Sequence, residues 1–212
     1  MANVRFAPDD PADLVARAAA LVTGGERAVL GLTGPPGAGK STLAADVVRA
    51  LGPGHAVVVP MDGFHLADSE LRRLGRTDRK GAPDTFDVAG YVHLLRRLVD
   101  RTDDVVYAPL FVGEHERAEA GALAVPREVP LVVTEGNYLL LDGPYAAIRA
   151  LLSECWYVDL DPVVRRQRLV DRHVQHGRSR DAAEAWVAGT DEPNAQLVET
   201  CRARADLVVR LL

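Results

Sequence analysis

The chain has 212 residues, and its 25 lysine and arginine residues against 30 aspartate and glutamate residues give a formal net charge of -5. This balance excludes a general basic surface for a polyanion such as DNA, so any bound anion must be held locally. The N-terminus lacks the apolar run of a signal peptide, and no segment approaches the ~20 apolar residues of a membrane span. The only cysteines, Cys155 and Cys201, suggest neither a disulfide framework nor a zinc site. We therefore expect one domain over residues 1–212, located in the cytoplasm, with no nucleic-acid or membrane partner.

In chain order, residues 11–25 within the leading segment 1–27 predict an N-terminal helix, and short apolar runs then alternate with helical patterns. The runs span residues 28–33, 56–60, 104–109, 131–136, 156–160 and 206–211. Valine-rich runs of this length are typical of fully buried parallel strands. Residues 41–51 and 88–100 carry their apolar side chains on one helical stripe. The sequence predicts an α/β fold with a doubly wound, mainly parallel sheet, flanking helices and ligands at the carboxyl ends of the strands.

The stretch GPPGAGKS, residues 34–41, matches GxxxxGK[ST] and stands between a predicted strand and a predicted helix. Glycines let backbone N–H groups converge on an anion, and the helix N-terminus adds partial positive charge. We expect Lys40 to reach the β and γ phosphates of ATP or GTP, and Ser41 to hold Mg²⁺. The predicted nucleotide-binding residues here are Gly34, Pro35, Pro36, Gly37, Ala38, Gly39, Lys40, Ser41 and Thr42.

A phosphate-binding loop leaves the reaction open between a GTPase switch, an ATPase motor or regulator, and a kinase. The chain has no NKxD segment to recognise guanine, and it carries its own arginine cluster near residue 170. Phosphoryl transfer needs a carboxylate beside the acceptor hydroxyl and cations over the developing charge. Asp62 lies at the carboxyl end of the strand that follows the phosphate-loop helix, so it can face the γ-phosphate and supply that carboxylate. The alternative is that Asp62 and Gly63 form only a turn.

Residues 67–87 are polar and punctuated by glycine, which predicts an excursion over the site. Further along, residues 161–180 begin with Asp-Pro and stop at Gly177, which predicts a helix. Arg165, Arg168 and Arg172 would share one face of it as three unpaired guanidinium groups. Such a stripe suits a polyphosphate, although solvated basic faces are also common on surface helices. Arg168 and Arg172 are the preferred catalytic pair.

Four stretches together resemble the branch of P-loop kinases that holds uridine kinase, phosphoribulokinase and the bacterial ATP-dependent pantothenate kinase. They are GLTGPPGAGKST, PMDGFHL, VVTEGNYLLLD and DEPNAQLVETCRARADLVV. The resemblance runs from about residue 28 to the C-terminus and is strongest to the nucleoside/nucleotide, or fructose-transport-associated, kinases. It implies a P-loop NTPase fold, ATP and Mg²⁺ as cofactors, a small-molecule substrate with a hydroxyl group, and an arginine-bearing lid at about residues 161–180. Relatives often pair as homodimers, but nothing in the sequence identifies an interface.

The resemblance also implies roles for individual residues. Asp62 falls on the aspartate that activates the acceptor hydroxyl, and Glu135 falls on the acidic residue that helps to hold Mg²⁺. A cap on the following loop is the alternative for Glu135. Asn194 lies in a segment that contacts the nucleotide base in pantothenate kinases, although an asparagine after proline also suits a helix cap.

The acceptor pocket is expected to contain Phe64, His65 and the stretch 109–117. Within that stretch the resemblance implies contacts from Phe111, His115 and Arg117. The chain reads Phe-Val-Gly where the fructose-associated kinases read closer to Phe-Asp-Arg. This departure removes a carboxylate and a guanidinium from the pocket, so pantothenate-like, sugar-like and nucleoside-like acceptors all stay open. A nucleotide-binding regulatory module with slow ATPase activity and no acceptor is the competing interpretation.

Overall fold

The computed structural model describes residues 5–6, 11–113 and 117–211. Six strands form a parallel sheet in the order β1-β8-β7-β2-β6-β3. Their bounds are β1 (Arg5–Phe6), β2 (Ala28–Thr33), β3 (Ala56–Pro60), β6 (Leu131–Glu135), β7 (Glu154–Asp159) and β8 (Leu207–Arg210). Two more strands, β4 (Val105–Val112) and β5 (Arg117–Pro126), form a separate antiparallel pair.

Helices cover both faces of the parallel sheet because successive strand residues point to opposite sides. Leu30 of β2 packs in a cluster with α1 and α2, whereas Val29 packs in a second cluster with α4, α5 and α8. The helices are α1 (Pro11–Ala20), α2 (Lys40–Leu51), α3 (Asp68–Leu74), α4 (Val88–Asp100), α5 (Ala146–Arg149), α6 (Pro162–Gln175), α7 (Arg180–Trp186) and α8 (Glu192–Glu199). The predicted doubly wound, mainly parallel sheet is confirmed. No helix within the described ranges combines the length and apolar character needed to cross a membrane.

The prediction that residues 104–109 form a buried strand of the parallel sheet is wrong. They belong largely to β4, which pairs antiparallel with β5. Val106 and Ala108 are buried while Tyr107 between them is 61% exposed, so only one face of this hairpin meets the core. The stretch 109–117, expected as a loop, supplies the last residues of β4 and the first of β5, and residues 114–116 lie outside the described ranges.

The excursion at residues 67–87 contains a helix, α3, that its weak apolar periodicity did not indicate. Leu71 of α3 is fully buried, and short 3-10 turns follow the helix. Two backbone hydrogen bonds close the segment at its base: Leu66 N–H donates to Thr85 O at 2.9 Å, and Asp87 N–H donates to Phe64 O at 2.8 Å. The excursion therefore leaves and returns at one place, beside the end of β3.

A buried hydroxyl pair braces β3, β6 and α4 just before the ends of the two strands. The Thr134 hydroxyl donates to Val59 O at 2.6 Å and lies 2.6 Å from the Tyr91 hydroxyl. The next residues in register are Pro60 and Glu135, which are direct partners across the ladder. The carboxyl ends of β2, β6 and β3 thus meet at one edge of the sheet, where the predicted site residues follow.

Candidate active site

A cleft of about 1130 Å³ opens at this edge of the sheet. The structure brings most of the predicted site residues into its wall. Those residues are Pro36, Gly37, Gly39, Lys40, Ser41, Thr42, Asp62, His65, Phe111, Glu135, Arg168, Arg172 and Asn194. Gly34, Pro35 and Ala38 belong to the same phosphate loop but do not line the cleft. One cavity therefore brings together residues from six separate segments of the chain.

The phosphate loop, residues 34–41, is held between β7 and α6 by close backbone approach. A Cβ on Gly34, whose φ is +149°, would lie 2.4 Å from Val158 O. A Cβ on Gly37, whose φ is +79°, would lie 2.7 Å from Leu169 Cγ. Both positions therefore require glycine, for space as well as for backbone conformation. The loop curves directly into α2, whose first residue is Lys40.

The Lys40 ammonium is buried and has three acceptors for its three N–H groups. Nζ donates to Gly34 O and Pro35 O, both at 3.0 Å, and to Asn137 Oδ1 at 2.7 Å. Burial lowers the pKa of Lys40 to about 8, against the opposing attraction of Glu135 and Asp62. These two carbonyls and the Asn137 amide therefore bond to the ammonium group that would otherwise bind a phosphate.

Sequence reasoning missed Asn137. It lies two residues beyond Glu135, at the carboxyl end of a central strand, and its side chain reaches Lys40 across the cleft. The signal that could have found it is its place: polar side chains just after a buried parallel strand face the ligand edge of the sheet.

Ser41 and Glu135 meet at the start of α2. Ser41 Oγ donates to Glu135 Oε1 at 3.0 Å, and the glutamate is only 5% exposed. Burial, followed by the charge of Asp62, raises the pKa of Glu135 to about 7, while Lys40 and Ser41 oppose the shift. Mg²⁺ is usually bound through one or two protein oxygens, substrate phosphates and water. No group of three or more metal-binding side chains occurs in the part of the chain that the structure describes, but a hydroxyl and a carboxylate beside a phosphate loop fit that pattern.

Asp62 lies in a single 3-10 turn, Met61–Phe64, directly after β3. Its carboxylate makes no hydrogen bond with a described residue, so the side-chain bond that a simple turn would use is not formed. A Cβ on Gly63 would lie 2.3 Å from Pro109 O, which shows how closely the β4–β5 hairpin packs over this turn. The turn therefore presents the Asp62 carboxylate to the cleft with the hairpin behind it.

His65 anchors an aromatic wall beside Asp62. Its Nδ1 donates to Asp62 O at 2.7 Å, and its ring centroid lies 4.1 Å from that of Phe86 and 4.9 Å from that of Phe111. Lys80 places its Nζ 5.7 Å from the centroid of the Phe111 ring. These contacts join the turn, the excursion and the hairpin into one end of the cleft.

Two predicted acceptor contacts do not reach this wall, and a third cannot be placed. Phe64 packs into the core, with its ring centroid 5.2 Å from that of Tyr91. Arg117, at the start of β5, is exposed and lies 3.6 Å from Glu119. His115 lies outside the described residues.

The arginine-bearing helix α6 also borders the cleft. The Asp161 side chain caps it by accepting from the N–H groups of Val163 and Val164, as the Asp-Pro start predicts. Arg168 and Arg172 line the cleft. The expectation of three unpaired guanidinium groups is wrong for Arg165, which is buried, and for Arg168, which also interacts with another group.

Arg165 instead fixes α6 to the phosphate loop. It donates to Pro36 O at 3.2 Å and pairs with Glu192 at the start of α8. Sequence reasoning could not foresee this pairing because the glutamate is 27 residues away along the chain.

Further polar and aromatic groups complete the same side. His173 Nε2 lies 2.9 Å from Asp191 Oδ2, and the Arg178 guanidinium stacks 4.1 Å above the Trp186 ring. A π-helical turn, Val187–Asp191, brings Asp191 back toward α6. Asn194, in the first turn of α8, is buried at the wall and makes no side-chain cap for that helix.

The chain is similar to a known domain family and to several known proteins. A family model described as an AAA domain matches residues 29–192. The chain is 35% identical over 190 residues to "Uncharacterized protein YggC" of Escherichia coli (strain K12), covering 87% of this chain and 78% of that protein. It is 32% identical over 212 residues to "Putative uridine kinase C227.14" of Schizosaccharomyces pombe, covering 94% and 90% respectively.

A solved structure agrees with these matches. The crystal structure of a "putative fructose transport system kinase" from Silicibacter sp. TM1040 superimposes with a TM-score of 0.78 at 38% identity. The match covers 90% of this chain and 98% of the Silicibacter chain.

Proposed function

We propose that this chain, which belongs to the AAA domain family whose model matches residues 29–192, transfers the γ-phosphate of ATP to a hydroxyl group of a small metabolite. The observation that carries this proposal is the convergence of Lys40, Ser41, Glu135 and Asp62 on one cleft. The first three can hold a magnesium-bound triphosphate, and the fourth is a carboxylate suited to the proton of an acceptor hydroxyl. Binding of a nucleotide alone does not need that fourth group, whereas transfer of the phosphoryl group does.

Each residue of this group has a defined task in the proposed reaction. Bound Mg-ATP supplies the phosphoryl group. Lys40 exchanges its loop carbonyls and Asn137 for phosphate oxygens and neutralises their charge. Ser41 and Glu135 supply the protein oxygens for Mg²⁺. Asp62 orients the acceptor hydroxyl and takes its proton, a contribution of typically 10²–10⁴-fold in rate.

The arginine-bearing helix has a supporting role. Arg168 and Arg172 face the cleft from α6 and can stabilise the charge that develops on the transferred group. Residues 161–180 act as a lid in this proposal, closing to exclude water and to suppress hydrolysis without an acceptor. Asn194, buried at the wall of the cleft, contacts the nucleotide base.

The proposed function also implies a kind of partner and a cellular location. The partner is a small metabolite, and the protein acts in the cytoplasm. Cys155 and Cys201 are both free and buried, which suits a reducing compartment.

The test is ADP release with Mg-ATP across a panel of pantothenate, ketohexoses, ribonucleosides and related alcohols, for the wild type and for Asp62→Asn. We expect one class of acceptor to raise the rate well above the background. Asp62→Asn should lose about 10²-fold or more of that gain while still binding ATP. Asp46→Asn, an exposed aspartate on α2 paired with Arg49, is the matched control and should keep the gain.

The competing function is a regulatory module with slow ATPase activity and no acceptor. It would be favoured if no alcohol accelerates ADP release and Asp62→Asn leaves the background rate unchanged. A result in which an acceptor works equally well with Asp62→Asn would keep the kinase but remove Asp62 as its base.

A further inference from the structure

The excursion between β3 and α4 carries five cationic side chains, and four of them are paired with carboxylates. The pairs are Arg73–Glu70 at 2.6 Å, Arg76–Asp84 at 3.2 Å, Arg79–Asp84 at 2.9 Å and Lys80–Asp68 at 2.8 Å. The fifth, Arg72, makes no side-chain hydrogen bond or ion pair with any residue inside the described ranges. Among the arginines of the excursion, all of which the structure describes, Arg72 is also the one that lines the cleft.

Arg72 belongs to the part of the cleft wall that the excursion provides. Arg72 lies one helical turn after Asp68, on the same face of α3. Asp68 and Lys80 line the cleft as a pair, and Lys80 approaches the ring of Phe111. Phe111 in turn contacts His65, whose imidazole bonds to the Asp62 backbone. A continuous series of contacts therefore links the helix that bears Arg72 to the proposed base.

The nucleotide end of the cleft has its own cations. Lys40 lies in the phosphate loop, and Arg168 and Arg172 face the cleft from α6, whereas Arg72 and Lys80 come from the excursion beside the aromatic wall. A neutral acceptor would offer Arg72 no charged partner. A guanidinium matches a carboxylate or phosphate through two parallel hydrogen bonds, an arrangement that a hydroxyl or amide cannot reproduce.

We propose that the acceptor is an anionic alcohol, whose carboxylate or phosphate group binds Arg72 next to Lys80 while its hydroxyl lies at Asp62. This inference rests on the proposed kinase function and narrows its substrate class. It also supplies a positive charge for a pocket in which the hairpin sequence Phe-Val-Gly offers none.

The test compares alcohols that share a skeleton and differ in charge. The sets are glycerol, glycerate and glycerol 3-phosphate; pantothenol and pantothenate; fructose and fructose 1-phosphate; and uridine and uridine 5′-monophosphate. For each set the ratio of kcat/KM for the anion to kcat/KM for the neutral alcohol is measured by ADP release. The variants are Arg72→Gln and the neighbouring Arg73→Gln, whose arginine pairs with Glu70 and does not line the cleft.

We expect at least one set to show a ratio of about tenfold or more in the wild type and in Arg73→Gln, as charge-assisted hydrogen bonds produce. Arg72→Gln should bring that ratio close to one, mainly through KM. The sets that contain glycerol and its derivatives separate a carboxylate from a phosphate. Thermal unfolding of both variants checks the fold, which substitution of an exposed arginine should leave intact.

Two other outcomes overturn the inference in different ways. If neutral alcohols are phosphorylated as well as their anions, or if Arg72→Gln keeps the preference, the kinase stands and the anionic acceptor is wrong. If no alcohol of either kind accelerates ADP release, the proposed function itself fails and the inference fails with it.

Discussion

Protonation of Glu135 should weaken the binding of Mg-ATP on the acid side of neutrality. The pKa of this carboxyl is raised to about 7, and oxygen ligands must be ionised to hold a metal ion effectively. At that pKa about one carboxyl in eleven is ionised at pH 6 and about three in four at pH 7.5. We therefore expect the affinity for Mg-ATP to fall by up to about eightfold from pH 7.5 to pH 6.

On the alkaline side the affinity for Mg-ATP should fall again, for a different reason. Burial lowers the pKa of Lys40 to about 8 in the empty site, so above that pH the ammonium loses its proton before it can meet a phosphate. Binding then requires proton uptake, and the affinity declines again. The expected profile is a bell with its maximum between these two values.

The assay is calorimetric titration with Mg-ATP from pH 6 to pH 9 at constant ionic strength. Glu135→Gln, which stays neutral, should bind more weakly at pH 7.5 and show no acid limb. Asp62→Asn removes a negative charge that raises the pKa of Glu135, so its acid limb should move to lower pH. The reasoning would be refuted if the acid limb kept its midpoint in Glu135→Gln, because another group would then be titrating.

Two further predictions concern the phosphate loop. Gly37→Ala places a Cβ 2.7 Å from Leu169 Cγ at a φ of +79°, so we expect a loss of about 1–3 kcal/mol in unfolding free energy together with weaker ATP binding, measured by denaturation and titration; unchanged stability would contradict the close packing of the loop against α6. Asn137→Ala removes one of three acceptors from the buried Lys40 ammonium, and we expect it to lower the stability of the nucleotide-free protein by about 1–3 kcal/mol. Saturating Mg-ATP should reduce that difference, since phosphate oxygens then replace the amide.

The parallel sheet could be predicted from the sequence because its strands are short, continuous and apolar. The runs at 28–33 and 56–60 have the bounds of β2 and β3, and the run at 131–136 differs from β6 by one residue. The run at 104–109 has a similar composition but joins a hairpin instead. Composition reports burial, whereas the choice of partner depends on β5, whose many small residues gave no strand signal.

The candidate site likewise contains some features that the sequence could predict and others that it could not. Local sequence identified the phosphate loop, the turn at Asp62 and the cap at Asp161, since each depends on neighbours in the chain. The pairing of Arg165 with Glu192 and the bond of the Asn137 amide to Lys40 depend on distant segments that meet only in the fold. No spacing rule within one segment could have supplied them.

The hydroxyl pair of Thr134 and Tyr91 connects the protein interior to the chemistry. Glu135 follows Thr134 directly, and Asp62 follows two residues after the ladder partner of Glu135. The register of the strand ladder and the buried Tyr91 hydroxyl therefore fix the spacing between Glu135 and Asp62. In the proposed kinase, substitutions in the excursion would therefore change which acceptor binds, while the ladder of β3 and β6 keeps the spacing between Glu135 and Asp62.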